Sequence, residues 1–291
     1  MVKQEYLRYI KSKVNLLLLF LITIPVLMSY FTTYLDKQEW INLLHSPAPD
    51  LNIEKVNEIV NGYNGMSYID TFIFSNDFYL IFVIILLFGF GIHIGPVTFK
   101  HLESGYGSLI VTKLGYQKYM MNVIFAQSMY IVTFVISYFF LLFVITYIFG
   151  GGDFSIKTNL HLIDVQGGRY FLALISHIVL LIIYLIFVSI VTSLSTPYLK
   201  NQYILQIIPL CIYFLPLLIA STIGNITEFL GKSTGFLVSD DYLLSLYFYY
   251  NSSIPILEKV LSIVALPSIL LLMILFLTHV NIKLYKRDYI K

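Results

Sequence analysis

Phe99-Lys100-His101-Leu102-Glu103-Ser104-Gly105-Tyr106-Gly107-Ser108-Leu109 is a polar, glycine-containing stretch set between two long apolar runs. It continues from Ile110 to Tyr119 and carries Lys100, Lys113 and Lys118 against one acid, Glu103. A short basic connector between apolar runs is the pattern of a chain that crosses a membrane and returns. Composition agrees. Of 291 residues, 58% are hydrophobic and 12% charged, too few charges to clothe a soluble surface of this size. The net charge of +2 speaks against a nucleic-acid binder. The single cysteine, Cys211, lies in an apolar run and excludes an intramolecular disulfide and a cysteine metal cluster.

A helix needs about 20 apolar residues to cross the hydrocarbon. Six segments qualify: Val14–Leu35, Phe78–Phe99, Tyr119–Phe149, Tyr170–Leu194, Tyr203–Ile223 and Val260–Asn281. The expected fold is therefore all-α and integral to the membrane. These are continuous apolar runs, not the short alternating strands of a barrel. The first run follows a polar N-terminal segment and has no small-residue cleavage site, so it reads as a retained anchor.

Charge supplies an orientation. With the N-terminus inside, the inner segments hold Lys3, Arg8, Lys11, Lys13, Lys100, Lys113, Lys118, Lys200, Lys283, Lys286, Arg287 and Lys291, 12 of the 18 basic residues. Three acids accompany them (Glu5, Glu103, Asp288), and the other 13 acids fall outside. Basic residues near span ends stay cytoplasmic. Both termini and residues 100–118 are thus expected inside, and the acidic segment 36–77 and the segment 224–259 are expected as outer loops.

Two inner elements are candidates for mechanism. Val2, Tyr6, Tyr9, Ile10 and Val14 recur near helical spacing, with Lys3, Arg8 and Lys11 between them. Residues 1–13 therefore read either as a basic flank that sets topology or as an elbow helix lying in the headgroup layer. In the connector, Gly89, Gly91, Gly95 and Pro96 are expected to loosen or kink the end of the second span. Glu103, Gly105 and Gly107 then precede the apolar Leu109–Val111, as in a short helix at the membrane surface.

The run from Phe99 to Tyr119 resembles the segment after the second helix in type-2 ABC transporter permeases. There an acid and a glycine, a small apolar stretch and a basic turn lead into a long third helix. Six spans, inside termini and a basic N-terminal helix extend the resemblance over the chain. It implies a permease subunit that forms a homo- or heterodimer with a second permease copy and binds a cytoplasmic ABC ATPase. Glu103, Ser104, Gly105, Gly107 and Lys113 would lie at the coupling contact. The acidic first outer loop is a departure, longer than in compact members and shorter than the outer domains of others. A bacterial exporter of an amphipathic or hydrophobic peptide, such as a toxin or bacteriocin, is the implied activity, with lipid or drug export as the alternative. Frequent Ile, Tyr, Asn and Lys suggest the cell membrane of a low-GC Gram-positive bacterium.

ATP chemistry is not expected in this chain. Gly231-Lys232-Ser233-Thr234 ends like a phosphate loop, but the first glycine of that motif is replaced by Ile226. ATP and magnesium would belong to the partner subunit, and no cofactor or metal is expected here. Within the spans His93, Asn122, Gln127, His177 and Gln206 are polar, and interhelical bonding is their ordinary role. Gln127, Tyr130, Phe134 and His177 are the candidates for a substrate path. Two rival classes are an intramembrane enzyme, which lacks convergent acids or a nucleophile, and a membrane sensor that binds a ligand at residues 36–77.

Overall fold

The computed structural model describes residues 1–45, 52–75, 77–103, 105–150, 167–199, 201–214 and 279. Its elements in chain order are α1 (Val2–Ile10), α2 (Lys13–His45), α3 (Ile53–Gly62), α4 (Gly65–Asp70), a π-turn (Thr71–Ser75), α5 (Asp77–Glu103), α6 (Gly105–Leu114), α7 (Tyr116–Phe149) and α8 (Gly167–Ser195). A short 3₁₀ turn at Thr196–Tyr198 follows, and then α9 (Gln202–Phe214). No strand occurs among the described residues. The all-α expectation is met.

Among the described residues, four helices are long and apolar enough to cross a membrane: α2, the Phe78–Lys100 part of α5, α7, and the His177–Ser195 part of α8. Each coincides with one of the first four predicted spans. Only the beginning of the fifth, within α9, is described, and the sixth lies outside the described residues except for His279. The segments 151–166 and 224–259, with the 231–234 phosphate-loop remnant, also lie outside them.

The segment 36–77, expected as an outer loop, is helical over most of its described residues. α2 continues past Leu35 to His45, and α3, α4 and the π-turn fill most of the rest. Local chemistry explains these helices. Asn52 caps α3 by accepting from the Lys55 N–H at 3.2 Å. Asn64 and Ser67 form a reciprocal capping box on α4. Lys37 on α2 donates to the Tyr63 carbonyl at 3.2 Å at the end of α3.

Contacts divide the chain into two units. One comprises residues 16–86 and 134–175. Its core includes Ile22, Val26, Tyr30, Met66, Ile69 and Phe72, all fully buried. Tyr30 meets Tyr68 and Phe149 edge to face, and Phe82 stacks on Tyr138 with centroids 5.3 Å apart. The Tyr138 hydroxyl donates to the Ile22 carbonyl at 3.0 Å, in the turn of α2 that Pro25 disturbs. Backbones touch where Gly150 meets Gly65: a Cβ on Gly150 would stand 2.4 Å from the Gly65 Cα.

The other unit comprises residues 1–15, 87–133 and 176–291. Here Gly91 and Gly95 of α5 have a role that was not expected. α5 runs unbroken through Gly91, Gly95 and Pro96 to Glu103. A Cβ on Gly91 would lie 2.3 Å from the Gln206 carbonyl oxygen, and one on Gly95 would lie 3.0 Å from the Leu205 Cβ. The small residues let α9 approach α5 backbone to backbone, as at close membrane-helix crossings. Spacing alone could not separate this role from a kink.

Candidate functional site

α1 is the helix its periodicity predicts, and its two faces differ. Glu5 and Tyr9 are buried, while Lys3, Arg8 and Lys11 are exposed. Arg8 reaches back one turn to Glu5 at 3.4 Å. Tyr6 and Thr133 hydroxyls meet at 3.1 Å. The helix thus lies against the bundle, anchored from its inner side.

Tyr9 is the anchor. Its ring stacks on Tyr130 of α7 at 5.5 Å and meets His93 of α5 edge to face at 5.4 Å. Phe90 and His93 both face Tyr130, at 5.8 and 5.4 Å. The Tyr9 hydroxyl accepts from Gln127 Nε2 at 3.0 Å. Its carbonyl, at the end of α1, accepts from the Ser12 N–H at 3.4 Å, lies 3.1 Å from His93 Nε2 and also accepts from Asn15 Nδ2. Asn15 further donates to the Ile10 carbonyl at 2.9 Å and accepts from the Tyr130 hydroxyl. Burial pushes the Tyr9 phenol up to about 12, so at physiological pH it is a neutral hydroxyl.

Gln127 is the hub of this network, and it is fully buried. Besides Tyr9, its Nε2 donates to Thr98 Oγ1 of α5 at 3.1 Å. Its Oε1 accepts from Ser189 and Ser193 of α8 at 3.2 and 2.8 Å. Both amide hydrogens and the amide oxygen are used, so one side chain ties α1, α5, α7 and α8 together. A buried amide satisfied in this way fixes helix register and leaves no donor for a passing ligand.

A second cluster supports the connector. Tyr119, Met120, Val123 and Ile124 of α7 pack with Ile190 and Leu194 of α8. Leu102 at the end of α5 and Ile110 and Val111 of α6 rest on them, as does Met1. α6 ends at Gly115, which holds φ at +78° and donates to the Val111 carbonyl at 2.9 Å. This left-handed residue is the helix-stop that glycine suits, and α7 begins at the next residue. With one face of α6 seated, Leu109, Lys113 and Leu114 remain exposed, as does Lys118 beyond it.

The predicted residues therefore separate. Lys3, Arg8 and Lys11 sit on the exposed face of α1. Glu103 closes α5, Gly105 and Gly107 lie in the first turn of α6, Lys113 is exposed near its end, and Ser104 lies outside the described residues. Gln127 and Tyr130 come together at Tyr9. Phe134 and His177 are buried on α7 and α8. The partners missed from sequence are Asn15, Thr98, Ser189 and Ser193, small polar residues on apolar helices. The signal that pointed to them was Gln127 itself, an amide that must be satisfied wherever it is buried. No group of residues among those described is arranged to hold a metal ion.

Comparison with protein-family models, with curated proteins and with solved structures finds no match for this chain.

Proposed function

We propose that the chain is the membrane-spanning permease subunit of an ATP-driven ABC exporter in a bacterial cell membrane. It crosses six times with both termini inside, dimerises, and pairs with cytoplasmic ABC ATPase subunits. The observation that carries the reading is the α5–α6–Gly115–α7 connector. A short helix sits between two long apolar helices, packed along one side on the cluster of Tyr119, Val123 and Ile190 and exposing Leu109, Lys113 and Leu114. An element fixed to the bundle and open outward can receive a push and transmit it. The resemblance of Phe99–Tyr119 to the coupling segment of type-2 permeases adds the identity of the pushing partner.

Nucleotide-driven closure of the ATPases would move α6, and with it the ends of α5, α7 and α8, between inward- and outward-open arrangements. ATP and magnesium are held by the partner, and this chain performs no covalent chemistry. The cargo is an amphipathic or hydrophobic peptide, which suits long helices whose exposed surface is almost wholly apolar.

Purification of the tagged chain from its native cell tests the partnership. A phosphate-loop ATPase is expected to accompany it, and Leu109→Asp with Lys113→Glu is expected to release that ATPase while leaving the chain folded. Both residues are exposed, so the double variant removes no core contact. A chain that never carries an ATPase would sink the proposal.

A further inference from the structure

The exposed face of α1 has its own chemistry, independent of the transporter reading. With Glu5 and Tyr9 turned inward, residues 3, 4, 7, 10 and 11 point the other way at 100° per residue, and Arg8 lies on the flank beside Glu5. Lys3, Arg8 and Lys11 are exposed, Ile10 is 38% exposed and Leu7 half-buried. Arg8 keeps 47% of its side chain exposed despite its contact with Glu5, the lone acid of the segment, which is itself buried. Cations and aliphatic groups share one surface, with no exposed acid to neutralise it.

The level of that surface follows from what comes next. Lys13 is exposed and opens α2, and Leu16, Leu17 and Phe20 follow at 76, 59 and 65% exposure. On a helix long enough to cross a membrane, such a run is read as facing hydrocarbon. Lys13 stands three residues before Leu16, about 4.5 Å along the axis at 1.5 Å per residue, which puts its ammonium at the phosphate layer. The Tyr9 and Asn15 bonds hold α1 beside this point, so Lys3, Arg8 and Lys11 are kept close to it. We infer that α1 and the start of α2 form a binding surface for anionic phospholipid headgroups, made by Lys3, Arg8, Lys11 and Lys13. A soluble acidic protein fits less well, because Ile10 and Leu7 share the face and the surface runs directly into the hydrocarbon-covered part of α2.

The full chain in bilayers doped with spin-labelled phosphatidylglycerol or phosphatidylcholine tests this. The anionic lipid is expected to be preferred roughly three- to fivefold at low salt, with the preference shrinking at high salt. Replacing Lys3, Arg8, Lys11 and Lys13 with Gln should bring the ratio near unity. The same change at Lys100, Lys113 and Lys118 should leave most of it. A four-site variant that keeps the full preference, or a connector variant that abolishes it, would overturn the inference. The salt dependence of the unmodified chain is a second reading that needs no variant. If that chain shows no lipid preference while a polyglutamate peptide protects Lys11 from trypsin, the occupant is an acidic protein and the inference falls.

Discussion

Gln127→Leu removes the hub of the buried network while nearly preserving volume. The amide makes four hydrogen bonds: to Tyr9, Thr98, Ser189 and Ser193. Interhelical hydrogen bonds in a membrane are worth about 0.6 kcal/mol each on average, so the four together contribute about 2.4 kcal/mol. Two effects act in opposite directions on that figure. Ser189 and Ser193 can turn to carbonyls one turn back on α8, and Thr98 already bonds the Ile94 carbonyl at 3.1 Å, which lowers the loss. The Tyr9 hydroxyl, which also bonds Thr98, stays buried with one partner fewer, which raises it. A net destabilisation of roughly 2 kcal/mol follows. At about 2–4 °C per kcal/mol for a chain of this size, the unfolding midpoint in detergent should fall by roughly 4–8 °C. The direction of the loss is as informative as its size. Gln127→Glu should be at least as harmful, because a carboxylate cannot donate to Tyr9 or Thr98 without first taking a proton. If Gln127→Leu melts with the parent chain, the network is not a structural tie, and Gln127 returns as a candidate for ligand contact.

Other consequences are local. Tyr9→Ala removes a buried ring and should cost about 3–5 kcal/mol, freeing α1 so that trypsin cleaves rapidly after Lys11; Tyr9→Phe, losing one hydroxyl, should cost about 1 kcal/mol and leave α1 protected. Gly91→Ala must push α9 away from α5 because its new Cβ stands 2.3 Å from a backbone oxygen, an overpacking of about 1–3 kcal/mol; Gly95→Ala, facing a side-chain carbon at 3.0 Å, should melt closer to the parent. At Gly115 an added Cβ meets nothing within 4 Å, so Gly115→Ala should lose only the roughly 1–2 kcal/mol of a left-handed backbone. Thermal unfolding of the three glycine variants side by side checks that order.

The long helices were legible because hydrocarbon thickness imposes a run length that few other constraints mimic. α1 was legible as a helix, from the spacing of Val2, Tyr6 and Tyr9, but its attachment was not. The bonds that hold Tyr9 reach across 84 and 118 residues, to His93 and Gln127, and no local pattern encodes them. The helices within segment 36–77 were not legible, because its acids and Asn residues lower its hydropathy. Yet Asn64, Ser67 and Asp70 are buried there, each engaged in polar contacts, alongside Met66, Tyr68 and Ile69. Signals were present in the cap residues Asn52 and Asn64 and in the Ile53–Val56–Val60 spacing of α3. The glycines of α5 teach the same point from the other side, since a residue that permits bending also permits close approach, and only the position of α9 reveals the second role.

The most direct measurement is the ATPase rate of the chain reconstituted in bilayers with the ATPase that the proposal pairs with it, with peptides, lipids and drugs added in turn. An amphipathic peptide should stimulate hydrolysis in the parent complex, and Leu109→Asp with Lys113→Glu should abolish that stimulation while the isolated ATPase retains its basal rate. A rate that ignores every added compound, or stimulation that survives the loss of the exposed face of α6, would contradict the account.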